Sequence, residues 1–211
     1  SPPLPRSVRR QCFENFEDCQ LDEIVLAAAS FPSLHPELAF VDQLQQAGEK
    51  RIGALQPSEL AFHRGGLAAL GLLSSLYAAG LLRQRFVVSL QQRMKGLGSS
   101  MDMMNMEPYE PWGVPSEVEH VPFVAGDFGD RAVLFKPDGW EVYGGHTKRQ
   151  LSVFVQSFSQ RSIFSDKKYN LGFLHRLDVP SSGLIMCAKT YEAFYDLQVQ
   201  LHAGQFCREY M

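Results

Sequence analysis

The stretch Leu174-His175-Arg176-Leu177-Asp178-Val179-Pro180-Ser181-Ser182-Gly183-Leu184-Ile185-Met186-Cys187-Ala188-Lys189-Thr190 sets an imidazole, a guanidinium and a carboxylate within four residues, followed by two hydroxyls. Its ends are apolar and its middle holds Pro and Ser, a pattern of strand, polar loop and strand. A carboxylate in such a loop has two uses. It can bond nearby backbone N–H groups as an ordinary turn Asp, or it can serve a bound substrate as nucleophile or base. On an extended run side chains alternate, so Arg176 and Asp178 are expected on one face and His175 on the other. Gly183 suits close backbone packing. A Ser–His–Asp hydrolase fits poorly, because such triads assemble from separated parts of a fold around a shaped nucleophile turn such as G-x-S-x-G. Ser181 and Ser182 are therefore read as holding the loop.

The elements that must position this loop read as β and α in alternation. Arg131-Ala132-Val133-Leu134-Phe135 is a β-branched and aromatic run closed by the turn signal Pro137-Asp138-Gly139. Residues 151–158 suit a short helix or a strand. Residues 171–177 and 183–188 are expected as strands. Phe194, Leu197 and Leu201 recur at helical spacing over 191–202, Gly204 is placed to end that helix, and 206–211 looks extended.

The first part of the chain is different. From Leu21 to Met94 apolar residues recur at three- and four-residue spacing, and Pro57-Ser58-Glu59 reads as a helix start. Phe40-Val41…Leu44-Gln45-Gln46 returns as Phe86-Val87…Leu90-Gln91-Gln92, an offset of 46 that also brings Leu21 and Ile24 onto Leu67 and Leu70. Paired helices of that period suit an α-solenoid, and chance similarity of Leu/Ala helices is the alternative. Gly65–Leu82 is an uncharged run of 18 residues rich in Gly and Ser, read as a buried helix in preference to a membrane span. Residues 96–120 hold Gly96, Gly98, a Met cluster (Met101, Met103, Met104, Met106), Pro108, Pro111 and Pro115, the composition of a linker. The organisation expected is α+β: a helical module over 1–95, a linker over 96–120, and a mixed, largely antiparallel sheet domain over 121–211. Ser1 in place of an initiator Met and a strand-like stop at Met211 read as cuts in a longer chain.

Composition bounds the chemistry. Net charge is −3, but residues 131–189 carry 9 Lys and Arg against 4 Asp and Glu, while residues 1–130 carry 10 against 16. A basic middle in an acidic chain is what a local polyanion site needs, and a merely solvated face is the alternative. Cys12, Cys19, Cys187 and Cys207 form no CxxC pair, and His63, His120, His146, His175 and His202 lack zinc-ligand spacing. A reducing, intracellular compartment fits that usage, with cytoplasm and organelle both open.

The segment around Asp178 resembles the signature of the RluA-type pseudouridine synthases, H-R-L-D-x-x-T-S-G-L followed by A-K-T, with Ser181 at the position of the Thr. Lys136-Pro137-Asp138-Gly139 resembles the family's K-P-x-G turn, and Arg208-Glu209-Tyr210 its K-x-Y element, in the same order along 131–211. The resemblance implies RNA (rRNA or tRNA) as partner, uridine-to-pseudouridine isomerisation, no cofactor and no metal. It implies Asp178 and Tyr210 as catalytic residues, with Arg176, Lys136 and Arg208 binding the substrate. Arg176 is expected either to contact RNA or to pair with Asp178, and Lys136 either to touch phosphate or to hold its turn. The family's domain continues past the Tyr strand, so this chain alone is expected to be inactive. Leu55-Gln56-Pro57-Ser58-Glu59-Leu60 and the helix after it loosely resemble the helical repeats of organellar RNA-binding proteins. The alternative function is accordingly an RNA-binding helical-repeat protein whose synthase-like domain has lost its chemistry.

Overall fold

The computed structural model describes residues 20–29, 38–56, 59, 64–105, 112 and 120–206. The chain forms two compact units, residues 1–94 with 198–211 and residues 95–197.

In the first unit the apolar spacing winds into α1 (Leu21–Ala29), α2 (Leu38–Ala54), α3 (Arg64–Ala78) and the start of α4 (Gln84–Asn105). Glu23 reaches back to the Gln20 N–H at 2.7 Å, satisfying a donor that the start of α1 leaves open, and Glu59 accepts the Gln56 N–H at the same distance. The helices α1, α2 and α3 pack on one another through Ile24, Ala28, Leu44, Leu72 and Leu76, all buried. Buried Gln45 bonds the Leu81 carbonyl at 2.9 Å and the Arg83 N–H at 3.3 Å, fixing the α3–α4 turn against α2. Arg93 donates to the carbonyls of Gly53 and Leu55, which α2 leaves unpaired at its end. Adding 46 to Leu38, the start of α2, gives Gln84, the start of α4, and Ile24/Leu70, Val41/Val87 and Leu44/Leu90 are buried in both copies. Leu67 is exposed where Leu21 is half-buried. Ordinary packing of paired amphipathic helices produces the same burial, so no repeat is assigned. The uncharged run forms the 15-residue α3, and among the described residues no helix is long and apolar enough to cross a membrane.

Within the expected linker over 96–120 the structure describes residues 96–105, Trp112 and His120. Residues 96–105 continue α4 to Asn105, and Trp112 is buried. Backbone and side-chain groups of the second unit hold both: Asp102 accepts the backbone N–H groups of Tyr191 and Glu192 at 2.8 and 2.9 Å, and Trp112 packs on Phe158 and Phe164.

The second unit is built on a three-stranded antiparallel sheet, β1 (Phe123–Asp127), β2 (Arg131–Lys136) and β3 (Gly183–Ala188), in that spatial order. The period-2 pattern of β2 buries Ala132, Leu134 and Lys136 on one face. Its register against β3 pairs Lys136 with Gly183 and Ala132 with Cys187. That pairing sets the Lys136-Pro137-Asp138-Gly139 turn beside the loop that precedes β3. Residues 151–158, open between helix and strand, form α5 (Leu151–Gln156), and the predicted helix over 191–202 is α6 (Tyr191–His202). Gly204 follows it at φ +68°, the left-handed conformation that ends a helix without a Cβ clash.

The expected strand over 171–177 is not formed. Asn170, Leu171 and Gly172 all take positive φ (50°, 55° and 83°), which curls the chain out of a 3-10 turn (Lys167–Gly172), and only Phe173 bridges to the sheet, at Cys187. Gly172 lies so close to the Ala188 carbonyl that a Cβ would approach it to 2.7 Å. Residues 175–178 then run as irregular chain.

Candidate active site

Lys136 ends β2 with its side chain fully buried, and its ammonium donates to the carbonyls of Pro137 (3.1 Å), Val179 (3.4 Å) and Ser181 (2.5 Å). The Gly139 N–H also donates to Val179 O at 2.8 Å, and the Ser181 N–H closes a turn onto Asp178 O at 3.0 Å. Gly139 takes φ +73°, which the tight turn requires. Asp178, Ser181 and Ser182 are exposed at the tip of this loop. Lys136 thus reaches backbone carbonyls of its own turn and of the loop, and they enclose its ammonium. Burial pushes the Lys136 pKa down, while the charges of Asp138 and Asp178 act to hold it up.

Arg176 does not share a strand face with Asp178, because the strand is absent. Its guanidinium pairs with Glu141 at 3.6 Å and lies 5.0 Å from the Tyr143 ring centroid, with about half of the Arg176 side chain (53%) left in solvent. The alternative of an Arg176–Asp178 pair is therefore replaced by Arg176–Glu141. Glu141 itself is buried, and one of its oxygens accepts the N–H groups of Gly145 (3.2 Å), His146 (3.0 Å) and Thr147 (3.3 Å). Burial opposes its charge, but these three N–H groups outweigh that and hold its carboxyl below the ordinary range. His175 is half-buried.

The end of the motif is structural. Ala188 closes β3 in the core, and the Thr190 hydroxyl accepts the Ala193 N–H at 3.1 Å as the N-cap of α6. Lys189, fully buried, donates to both oxygens of Asp127 (2.8 and 3.0 Å) and lies 4.7 Å from the Trp112 ring centroid. Burial opposes the Asp127 charge, but Lys189 and the N–H groups of Trp112 and Gly129 outweigh it and lower the carboxyl pKa. Arg161 donates to Lys189 O at 3.2 Å.

Sequence reasoning missed Glu141, Tyr143, Asp127 and Trp112. Glu141 carried one usable signal, the Gly144-Gly145 pair after it: at φ +145° and +99° these residues let the chain fold back over the carboxylate, where a Cβ on Gly144 would collide with it. Trp112 stands among prolines and offered none. Arg208 and Tyr210 lie outside the described residues, so the structure brings together Lys136 and the Asp178 loop, and sets Arg176 on the Glu141 loop.

The family model of RNA pseudouridylate synthase matches residues 130–211. The match begins next to β2 and takes in the Lys136 turn, the Asp178 loop, β3 and α6, while α1 to α4 stand outside it. No curated protein and no solved structure matches the chain.

Proposed function

We propose that residues 121–211 are the front part of an RNA pseudouridine synthase domain of the RluA type, with Asp178 as its reacting carboxylate. The observation that carries this reading is the exposed Asp178 at the tip of a loop whose backbone is clamped by a buried ammonium, inside the segment that matches the synthase family. A reacting group must be accessible and yet held, because rate depends on pre-set geometry. The Lys136 clamp supplies the holding without consuming the carboxylate.

The reaction is an isomerisation. The bond from N1 of uracil to C1′ breaks, a bond from C5 to C1′ forms, and the proton lost from C5 is balanced by one gained at N1. No electron leaves the system. Asp178 acts either by attack on C1′ or by taking a proton from the sugar. The uridine must leave its stack, at a cost of roughly a few kcal/mol. In this reading Arg176 and Arg208 bind RNA, Tyr210 lies against the uracil, and Lys136 is a positioning residue.

The deciding experiment maps pseudouridine in structured RNA treated with the full-length protein and its Asp178→Asn variant. Asn keeps the shape and removes the charge, so modification falls by about 10³-fold or more at unchanged RNA affinity. Equal modification by both proteins would sink the proposal.

A further inference from the structure

We infer that Glu141 is a positioning residue that aims Arg176 and the loop over 143–149 together, so that both meet one RNA strand as a single unit. The inference rests on the synthase reading for its ligand, an RNA backbone, but not for its geometry.

The loop is closed on Glu141 twice. Its backbone N–H donates to Arg149 O at 2.9 Å, and its carbonyl accepts from Leu151 N at 2.8 Å. Inside the loop the carboxylate takes the N–H groups of Gly145, His146 and Thr147 on one oxygen, and the Arg176 guanidinium lies 3.6 Å from the other. Thr147 and Gln150 stitch the rim, through Thr147 Oγ1 to Arg149 O and Gln150 Nε2 to Thr147 O. The rim leaves His146, Lys148 and Arg149 exposed. One buried anion therefore fixes the part of the chain that bears three basic side chains and, through space, a fourth. Tyr143 adds a second hold, its ring under the guanidinium and 6.1 Å from the Phe173 ring.

The chemistry suits a polyanion. A guanidinium stiffened on one side by a carboxylate and an aromatic ring keeps its solvent edge for hydrogen bonds to phosphate or for stacking on a base, without first losing its rotamer freedom. Lys148 and Arg149 supply exposed positive charge on the same loop. Were the anion absent, the amides of 145–147 would lose their acceptor and Arg176 its charged partner at once, leaving only the Tyr143 ring against the guanidinium.

The test compares wild type, Glu141→Gln, Glu141→Ala, Arg176→Gln and the Glu141→Gln/Arg176→Gln double variant in the full-length protein. Hydrogen exchange reads the amides of 143–149, and fluorescence anisotropy reads binding to a labelled, uridine-containing RNA hairpin. Glu141→Gln keeps an oxygen for the loop but not the charge, so affinity falls about fivefold. Arg176→Gln falls by a similar factor, and the double variant falls no further, because the two residues act as one. Glu141→Ala also speeds exchange of the loop amides, while amides of β2 and β3 serve as the check that the fold is intact. Where turnover is present, the effect of Glu141→Gln lies in KM and not in kcat. Independent, additive losses, or Glu141→Gln binding as tightly as wild type, overturn the inference, as does a wild type that binds no RNA. Coupled binding losses without any pseudouridine formed defeat the enzyme reading alone.

Discussion

Two lysines sit at opposite ends of the same strand pair, and both are fully buried. Lys136 closes β2 beside Gly183, and Lys189 follows β3 beyond the pairing of Ala188 with Arg131. Their surroundings differ in kind. Lys189 meets a full negative charge, Asp127, in two-point contact under an indole ring, so cation and anion cancel within the pair. Lys136 meets only the partial charges of three carbonyls, with Asp178 and Asp138 acting on it through space. A cancelled pair is a staple and leaves nothing for a ligand. An ammonium lodged among dipoles keeps its field and leaves the nearby carboxylate exposed, which is the arrangement a reacting group needs.

That contrast breaks first at Lys189. Lys189→Met strands Asp127 and lowers stability by about 3 kcal/mol, read from the urea midpoint, because removing one partner leaves an uncompensated charge. A loss under about 1 kcal/mol would show that Asp127 finds water instead.

Lys136→Met comes next and separates stability from function. It opens carbonyls at Pro137, Val179 and Ser181 but also removes a desolvated charge, so stability falls by only about 1–2 kcal/mol. Modification falls further, about 100-fold, since the loop bearing Asp178 loses its clamp. The pH dependence of the same variant sharpens the point. The folded pKa of Lys136 lies below its unfolded value, so across that interval the unfolded chain binds more protons, and stability rises with pH toward about 10.4. Urea midpoints from pH 8 to 10.5 should show this rise in wild type relative to Lys136→Met.

Asp127 behaves in the opposite sense. Its carboxyl is depressed in the folded state, so the stabilisation is complete above its unfolded pKa of about 3.9 and is lost as pH falls through the folded value. Asp127→Asn flattens the acid limb of the stability curve, measured by urea unfolding between pH 5 and pH 2.5. The smallest effect belongs to Thr190→Ala, which costs about 1 kcal/mol as a lost N-cap, with Thr190→Ser restoring most of it. Neither Thr190 variant changes kcat, if that end of the motif only braces the fold.

Much of this was legible from residue types. The period-2 run at 131–135, the apolar run at 183–188 and the helical spacing at 194, 197 and 201 lie where β2, β3 and α6 form, because local pattern and burial agree there. The segment 171–177 misled. Its apolar residues are buried as expected for Phe173 and Leu174, but through a left-handed curl that composition does not announce. The end of α4 misled in the other direction: Gly96, Gly98 and the Met cluster have linker composition, yet Gly98 is small so that the helix can approach Glu192 at the start of α6. Glu141 was passed over although the Gly144-Gly145 pair marked it, because its burial and its ties to Gly145, His146, Thr147 and Arg176 appear only once the loop is folded.

The bond from Gly139 N–H to Val179 O has one more consequence. The segment bearing Asp178 takes its position from the end of β2 and the turn after it, 40 to 45 positions upstream, through Lys136 and Gly139. Lengthening that upstream bend by a single residue would displace the carboxylate without altering any neighbour in its own segment. Tolerance to insertion should therefore be lowest at 137–138, a place that carries no reactive group.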